Sequence, residues 1–180
     1  VKNLTKDPEF VNSHYLLFCT KRGTIKKTLL EAYSRPRTNG VIAIDLRDDD
    51  RLVGVSLTDG NSEILIANRR GRAVRFNEST VRATGRNAMG VRGMTLDEGG
   101  KDKDEVIGMI AVAHDTEESI LVVSEHGYGK RSLVEDYRIT NRGTKGVKTL
   151  NVTDKTGELV AFEAVTDEHD LMIINRSGIT

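Results

Sequence analysis

Tryptophan is missing from this 180-residue chain, tyrosine and phenylalanine number four each, and there are only two prolines and one cysteine. A core of large rings is therefore excluded, and the interior has to be filled by Val, Ile and Leu on many short strands. The lone thiol, Cys19, has no partner, which excludes a disulfide framework and suits a reducing, cytoplasmic setting. No stretch is apolar for the length of a membrane-spanning helix, and the first residues do not read as a secretory leader. Net charge is also lacking, since 27 basic residues balance 27 acidic ones. On average that argues against a nucleic-acid partner.

What the chain has instead is a repeat. An apolar strand, a basic tight turn ending in glycine and a second strand recur as YLLFCTKRGTIKKT from Tyr15, ILIANRRGRAVRF from Ile64 and ILVVSEHGYGKRS from Ile120. A fourth copy, LMIINRSGIT, starts at Leu171. The turn glycines are Gly23, Gly71, Gly127 and Gly178, spaced by 48, 56 and 51 residues. A Gly-Val pair follows each hairpin, ending at Val41, Val91 and Val147, and a third apolar run closes each unit, from Leu52, Val106 and Leu159. The repeats run 14–61, 62–117 and 118–169, with a partial repeat at 170–180, and the whole reads as a piece of a larger domain. One such unit cannot bury its own apolar faces and needs neighbours.

The runs Ile64–Ala67, Ile120–Val123 and Leu171–Ile174 are apolar at consecutive positions. A strand covered on one face alternates, so these are expected to be covered on both, as when sheets stack on sheets. The second hairpin strands are mixed, as in Thr24–Thr28 and Arg72–Phe76, and are expected nearer solvent. The turn glycines suit positive φ at a hairpin. Helix signals are weak, the best being the short segment Leu29–Ser34. Four short strands per unit, arranged radially, predict an all-β, propeller-like array of roughly fifty-residue blades forming an incomplete ring.

The zero net charge hides a pattern. Residues 21–40 carry six basic groups (Lys21, Arg22, Lys26, Lys27, Arg35, Arg37) and one acidic. Residues 62–95 carry seven (Arg69, Arg70, Arg72, Arg75, Arg82, Arg86, Arg92) and two acidic; residues 126–148 carry six (Lys130, Arg131, Arg138, Arg142, Lys145, Lys148) and two acidic. The segments between them are acidic, so the sign flips in phase with the repeat. In a radial array, matching positions share a surface, which predicts one basic band and one acidic band. A basic stripe on a curved body fits a bent duplex, because neutralising phosphates releases counterions whatever the base sequence.

Other chemistry is thin. His14, His114, His126 and His169 lack metal-ligand spacing, and Cys19 stands apart from them. GRNAMGVRG has the composition of a phosphate-binding loop but neither a P-loop ending nor dinucleotide-site spacing, so its glycines are read as turn residues. Asp48–Asp50 reads as a solvated loop, and no nucleophile–base pair stands out.

The strings KRGTIKKTLLEAYSRPRTNGVIAIDL, RRGRAVRFNESTVRATGRNAMGVRGM and EHGYGKRSLVEDYRITNRGTKGVKTL resemble successive blades of the C-terminal domain of DNA gyrase A, part of a type IIA topoisomerase. The resemblance covers nearly the whole chain. It implies a β-pinwheel of five or six blades in which a hairpin strand passes between neighbours. It also implies a basic rim, made of the arginines and lysines just named, that wraps double-stranded DNA and supports negative supercoiling. The remainder of gyrase A, together with gyrase B, are the implied partners, in a bacterial cytoplasm. ATP, magnesium and the catalytic residues belong on this resemblance to other parts of the holoenzyme, so no cofactor is expected here. The family's signature heptapeptide, roughly Gln-Arg-Arg-Gly-Gly-Lys-Gly, is absent; Asn141–Gly146 fits the degenerate version of a later blade. Tyr15, Tyr33, Tyr128 and Tyr137 are read as structural. The equivalent domain of topoisomerase IV and a protein-binding propeller remain alternatives. A ring that does not close exposes strand edges, so self-association or frayed ends at Val1–Val11 and Leu171–Thr180 are expected.

Overall fold

The structure is a computed structural model, and it describes residues 6–97 and 103–168. Among the described residues eleven strands run in chain order: β1 (Tyr15–Thr20), β2 (Thr24–Leu29), β3 (Leu52–Thr58), β4 (Glu63–Asn68), β5 (Arg72–Asn77), β6 (Val91–Arg92), β7 (Val106–Val112), β8 (Ser119–Ser124), β9 (Gly129–Leu133), β10 (Val147–Lys148) and β11 (Leu159–Val165). They form three antiparallel sheets of order β3-β1-β2-β6, β10-β5-β4-β7 and β11-β8-β9. The all-β, propeller-like reading of the sequence is the observed architecture.

Each sheet has the hairpin of one repeat at its centre and that repeat's third apolar run at one edge. In the first two sheets the opposite edge is supplied by the next repeat. β6 lies on β2 with Thr24 opposite Arg92, and β10 lies on β5 with Arg72 opposite Lys148. Among the described residues, β9 carries no strand on its outer edge. The exchange seats on the two glycine landmarks. The Gly23 carbonyl accepts from Gly93 N (2.7 Å) and Met94 N (3.2 Å), and the Gly71 carbonyl accepts from Thr149 N (2.7 Å) and Leu150 N (3.2 Å). Gly71 has φ +82°, and a Cβ there would run into the Leu150 carbonyl oxygen and lie 2.9 Å from Val152 Cγ2. Glycine is required there for the turn and again for the docked strand. Gly178 lies outside the described residues.

The central strands explain the continuous apolar runs. All six residues of β4 are buried. Ile64 and Ile66 point into one core with Leu17, Cys19, Ile25, Val74 and Met94, while Leu65 and Ala67 point into another with Ile110, Ile120, Val122, Tyr137 and Phe162. β7 packs between β3 and β11, and Gly54 and Gly108 leave the room that lets Met109 and Phe162 approach from the neighbouring sheet.

One local expectation changes. The second hairpin strands β2 and β5 are buried over their middle four residues instead of lying near solvent, because the exchanged strands and the turns of the next repeat cover them. Among the described residues, β9 has no fourth strand beside it and is open. At the N-terminal end, residues 1–5 of the segment expected to fray lie outside the described residues, and Pro8–Ser13 form a short helix, capped by Asp7 accepting from Glu9 N and started by Pro8. Its Val11 is buried. Leu30–Tyr33 forms one 3-10 turn, repeated at Glu78–Thr80 and Val134–Asp136. Leu171–Thr180 lie outside the described residues.

Candidate nucleic-acid interface

The exchanged segments meet each other as well as the hairpins they cap. Gly143 N donates to Gly93 O (2.8 Å), Thr95 N to Thr144 O (2.9 Å), Thr95 Oγ1 to Gly143 O (2.5 Å) and Arg142 Nη1 to Arg92 O (2.6 Å). The loops around Arg92 and Arg142 are thus joined edge to edge, and the basic clusters of the second and third repeats become one surface. A groove of about 890 Å³ runs there, lined by Arg22, Arg92 and Lys145, one from each repeat, with Arg47, Lys103, Asp49, Asp97 and Asp104. The glycine-rich string GRNAMGVRG is this exchange loop.

The nineteen basic residues singled out from the sequence separate into three groups. Arg35, Arg37, Arg72, Arg82, Arg92, Lys130, Arg131, Arg138, Lys145 and Lys148 are exposed. Lys21, Arg22, Arg69, Arg70, Arg86 and Arg142 are half-buried. Lys26, Lys27 and Arg75 are buried, at 1%, 6% and 8% exposure, and this corrects their assignment to a DNA-facing rim. Lys26 Nζ donates to Ala43 O (2.8 Å) and Arg86 O (2.5 Å); burial first, and then the Arg86 charge, lower its pKa. Lys27 Nζ donates to Glu78 O (3.3 Å), lies 3.7 Å from Glu78 Oε2 and stands 4.4 Å over the Tyr15 ring. Arg75 Nη1 donates to Val134 O (3.2 Å) and Tyr137 O (2.9 Å), with Nε 3.6 Å from Glu63. A buried cation has to find partners inside the protein, and these three have done so.

The separation into a basic and an acidic band also fails at the hairpin tips. Lys21 pairs with Glu105 (2.9 Å), Arg22 with Asp49 (3.4 Å), Arg70 with Asp97 (3.0 Å), and Arg69 with both Glu105 (3.8 Å) and Glu158. The reason is topological. Each third strand starts beside the hairpin tip, with Lys21 N donating to Arg51 O and Arg69 N to Glu105 O, so the acidic segments arrive where the tip cations stand. Asp50 accepts from Arg22 N and Arg51 N, which gives this residue of the acidic run a structural role. Asp104, 3% exposed, accepts from Asn68 Nδ2, Asp97 N and Glu105 N. Burial raises its pKa against the lowering from the Asp97 and Glu105 N–H groups and from Arg70.

The remaining candidates are structural. His14 stacks on Phe10, His114 contacts Glu63 and His126 contacts Lys155 O. His169 lies outside the described residues. Among the described residues no group of three or more His, Cys, Asp or Glu is placed to hold a metal. Tyr33 donates to Ala43 O and Tyr137 bonds Thr149, and burial raises both pKa values. Arg47 and Lys103 were missed as groove residues, because they stand in acidic stretches where a charge count hides them.

The fold has known counterparts. The family described as the DNA gyrase C-terminal domain, a β-propeller, matches residues 14–59, 62–113 and 118–166. DNA gyrase A of Staphylococcus aureus (strain MRSA252) is 45% identical over 179 residues, which is 99% of this chain and 19% of that protein. The chain therefore spans about a fifth of the length of such relatives. Among solved structures, the C-terminal domain of DNA topoisomerase IV matches with a TM-score of 0.77 at 32% identity, covering 86% of this chain and 47% of that one. A DNA gyrase A C-terminal domain matches with a TM-score of 0.71 at 30% identity, covering 87% and 50%. Three in-phase hairpins, two of them capped by a strand exchanged from the next repeat and all matched in sequence and in fold, place this chain in the DNA gyrase C-terminal domain family.

Proposed function

We propose that this chain binds duplex DNA without reading its base sequence and bends it along the rim made by the joined exchange loops. In this reading it serves a bacterial, cytoplasmic gyrase, with the rest of gyrase A and with gyrase B as partners and the ATP-dependent chemistry elsewhere in that assembly. The observation that carries the proposal is the hydrogen-bonded contact between the loops of Arg92 and Arg142. It turns separate basic clusters into one surface that presents Arg92, Lys145 and Lys148 to solvent. Phosphate contacts from such side chains supply affinity and position a duplex without sequence information. A gyrase role is favoured over a topoisomerase IV role by the 45% identity to DNA gyrase A.

The test is a mobility shift on unrelated duplexes of equal length, followed by topoisomer analysis on relaxed circular DNA. Equal shifts on all duplexes with a handed change in linking number support the reading. Binding without a change in linking number reduces the role to simple DNA attachment, and no binding removes it.

A further inference from the structure

Lys27 and Arg75 occupy one position of the repeat, four residues after the turn glycine, and they make the same unusual contact. Each crosses to the neighbouring sheet and donates to the carbonyl seven residues after that sheet's own turn glycine: Lys27 Nζ to Glu78 O at 3.3 Å and Arg75 Nη1 to Val134 O at 3.2 Å. The main chain repeats the tie. Thr84 N donates to Lys27 O and Thr140 N to Arg75 O, both at 2.8 Å. Each cation also has a buried carboxylate nearby, Glu78 for Lys27 and Glu63 for Arg75. Glu78 is fully buried, and its carboxylate accepts from Thr58 Oγ1 and Gly60 N of the first repeat and from Ser62 N of the second, so it bridges the two repeats at the point where Lys27 reaches it from the first. Arg131 stands at this position in the third repeat. It is exposed, and among the described residues it bonds within its own repeat, to Ser119 Oγ (3.0 Å) and Asp167 (2.8 Å).

We infer that Lys27 and Arg75 are positioning residues that fix the angle between successive sheets, and thereby the curvature of the basic rim, without touching DNA. Apolar packing between sheets is non-directional and leaves their relative rotation soft, whereas a buried cation fastened to named carbonyls selects one rotation. Arg75, whose planar guanidinium donates through Nη1 to two carbonyls of one turn, Val134 and Tyr137, defines that rotation more sharply than Lys27, whose ammonium donates to one. The curvature claim rests on the DNA-bending reading; the angle claim does not.

The experiment uses labels on the exposed turn residues, Ser79→Cys and Glu135→Cys, which flank the second junction, while Cys19 is fully buried and takes no label. Spin-label distance distributions are compared for the parent, Arg75→Lys and Arg75→Met. Arg75→Lys keeps a cation beside Glu63 and preserves the fold, so it carries the test if Arg75→Met does not fold. The distribution is expected to shift and broaden in Arg75→Lys with a cooperative melting transition retained. A distribution that superimposes on the parent overturns the inference. The same variants are then assayed on relaxed circular DNA. Linking change per bound chain is expected to fall while affinity stays within about twofold, the scatter of a neutral surface change. An affinity loss with unchanged label distances shows that Arg75 contacts DNA and also overturns the inference. If the parent leaves the DNA untouched, the functional reading fails, and the label distances alone decide the angle.

Discussion

Replacing Gly71 by alanine tests whether the turn glycine is a docking point for the exchanged strand or only a hairpin residue. Gly127 is the natural control. The two have nearly the same backbone, φ +82° and +84°, but a Cβ on Gly127 meets nothing within 4 Å. Gly127→Ala therefore bears only the left-handed backbone cost, about 1–2 kcal/mol. Gly71→Ala bears that cost and also drives its Cβ into the Leu150 carbonyl, which has to move away. That movement strains the bonds from Thr149 N and Leu150 N to the Gly71 carbonyl, each worth about 1 kcal/mol. The expected total is about 3–5 kcal/mol for Gly71→Ala. For a chain of this size each kcal/mol moves the melting temperature by about 2–4 °C. Differential scanning calorimetry on the two variants should thus show Gly71→Ala melting well below Gly127→Ala. Equal melting temperatures would refute the seating of β10 on the hairpin tip.

Three further outcomes follow from the same geometry. Arg92→Glu and Lys148→Glu, both on exposed exchanged-strand positions, should weaken DNA binding evenly across sequences and lower the magnitude of the salt slope by about 1 each, with the melting curve unchanged; titrations at several salt concentrations read this. Cys19 is fully buried with its thiol pKa pushed up to about 12, by burial first and by Asp50 second, so it should resist a thiol reagent until the chain opens; labelling as fast in the native chain as in denaturant would contradict its place in the core. Burial raises the Asp104 pKa above 3.8, so the native state holds this proton more tightly than the unfolded chain. Its stabilising contribution is full below the unfolded value and is lost as pH rises through the raised folded value; Asp104→Asn should remove that part of the pH dependence of the denaturant midpoint.

The repeat carried the architecture legibly. Strand hairpins, turn glycines and the continuous run at Ile64–Ala67 depend on local pattern, and local pattern can be read along a chain. The Gly-Val pairs were visible as landmarks, but their role was not. Val91 and Val147 open strands that belong to the preceding sheet, pairing with Ile25 and Ala73 at separations of 66 and 74 residues that no window along the sequence contains. The same non-local contacts explain the errors at Lys26, Lys27 and Arg75. A mixed strand such as TIKKT looks half-solvated until a neighbouring repeat covers it. Charge counts found the basic clusters yet could not separate cations bonded inside from cations facing out, nor see Glu105 reaching both Lys21 and Arg69. Neutralising such acidic residues is therefore a change to the hairpin tips and not to a remote band. The capped helix at Pro8–Ser13 was signalled by Asp7-Pro8, a start signal too short to stand out against the strands.

The central claim is that a rim of outward-facing cations holds DNA through its phosphates, and its most direct test is the salt dependence of binding to a duplex of arbitrary sequence. If six phosphates are neutralised, log K should fall linearly with log salt with a slope of about −5, a loss of about 10³ in affinity between 50 and 200 mM. A flat line, or a strong preference for one base sequence, would contradict the account.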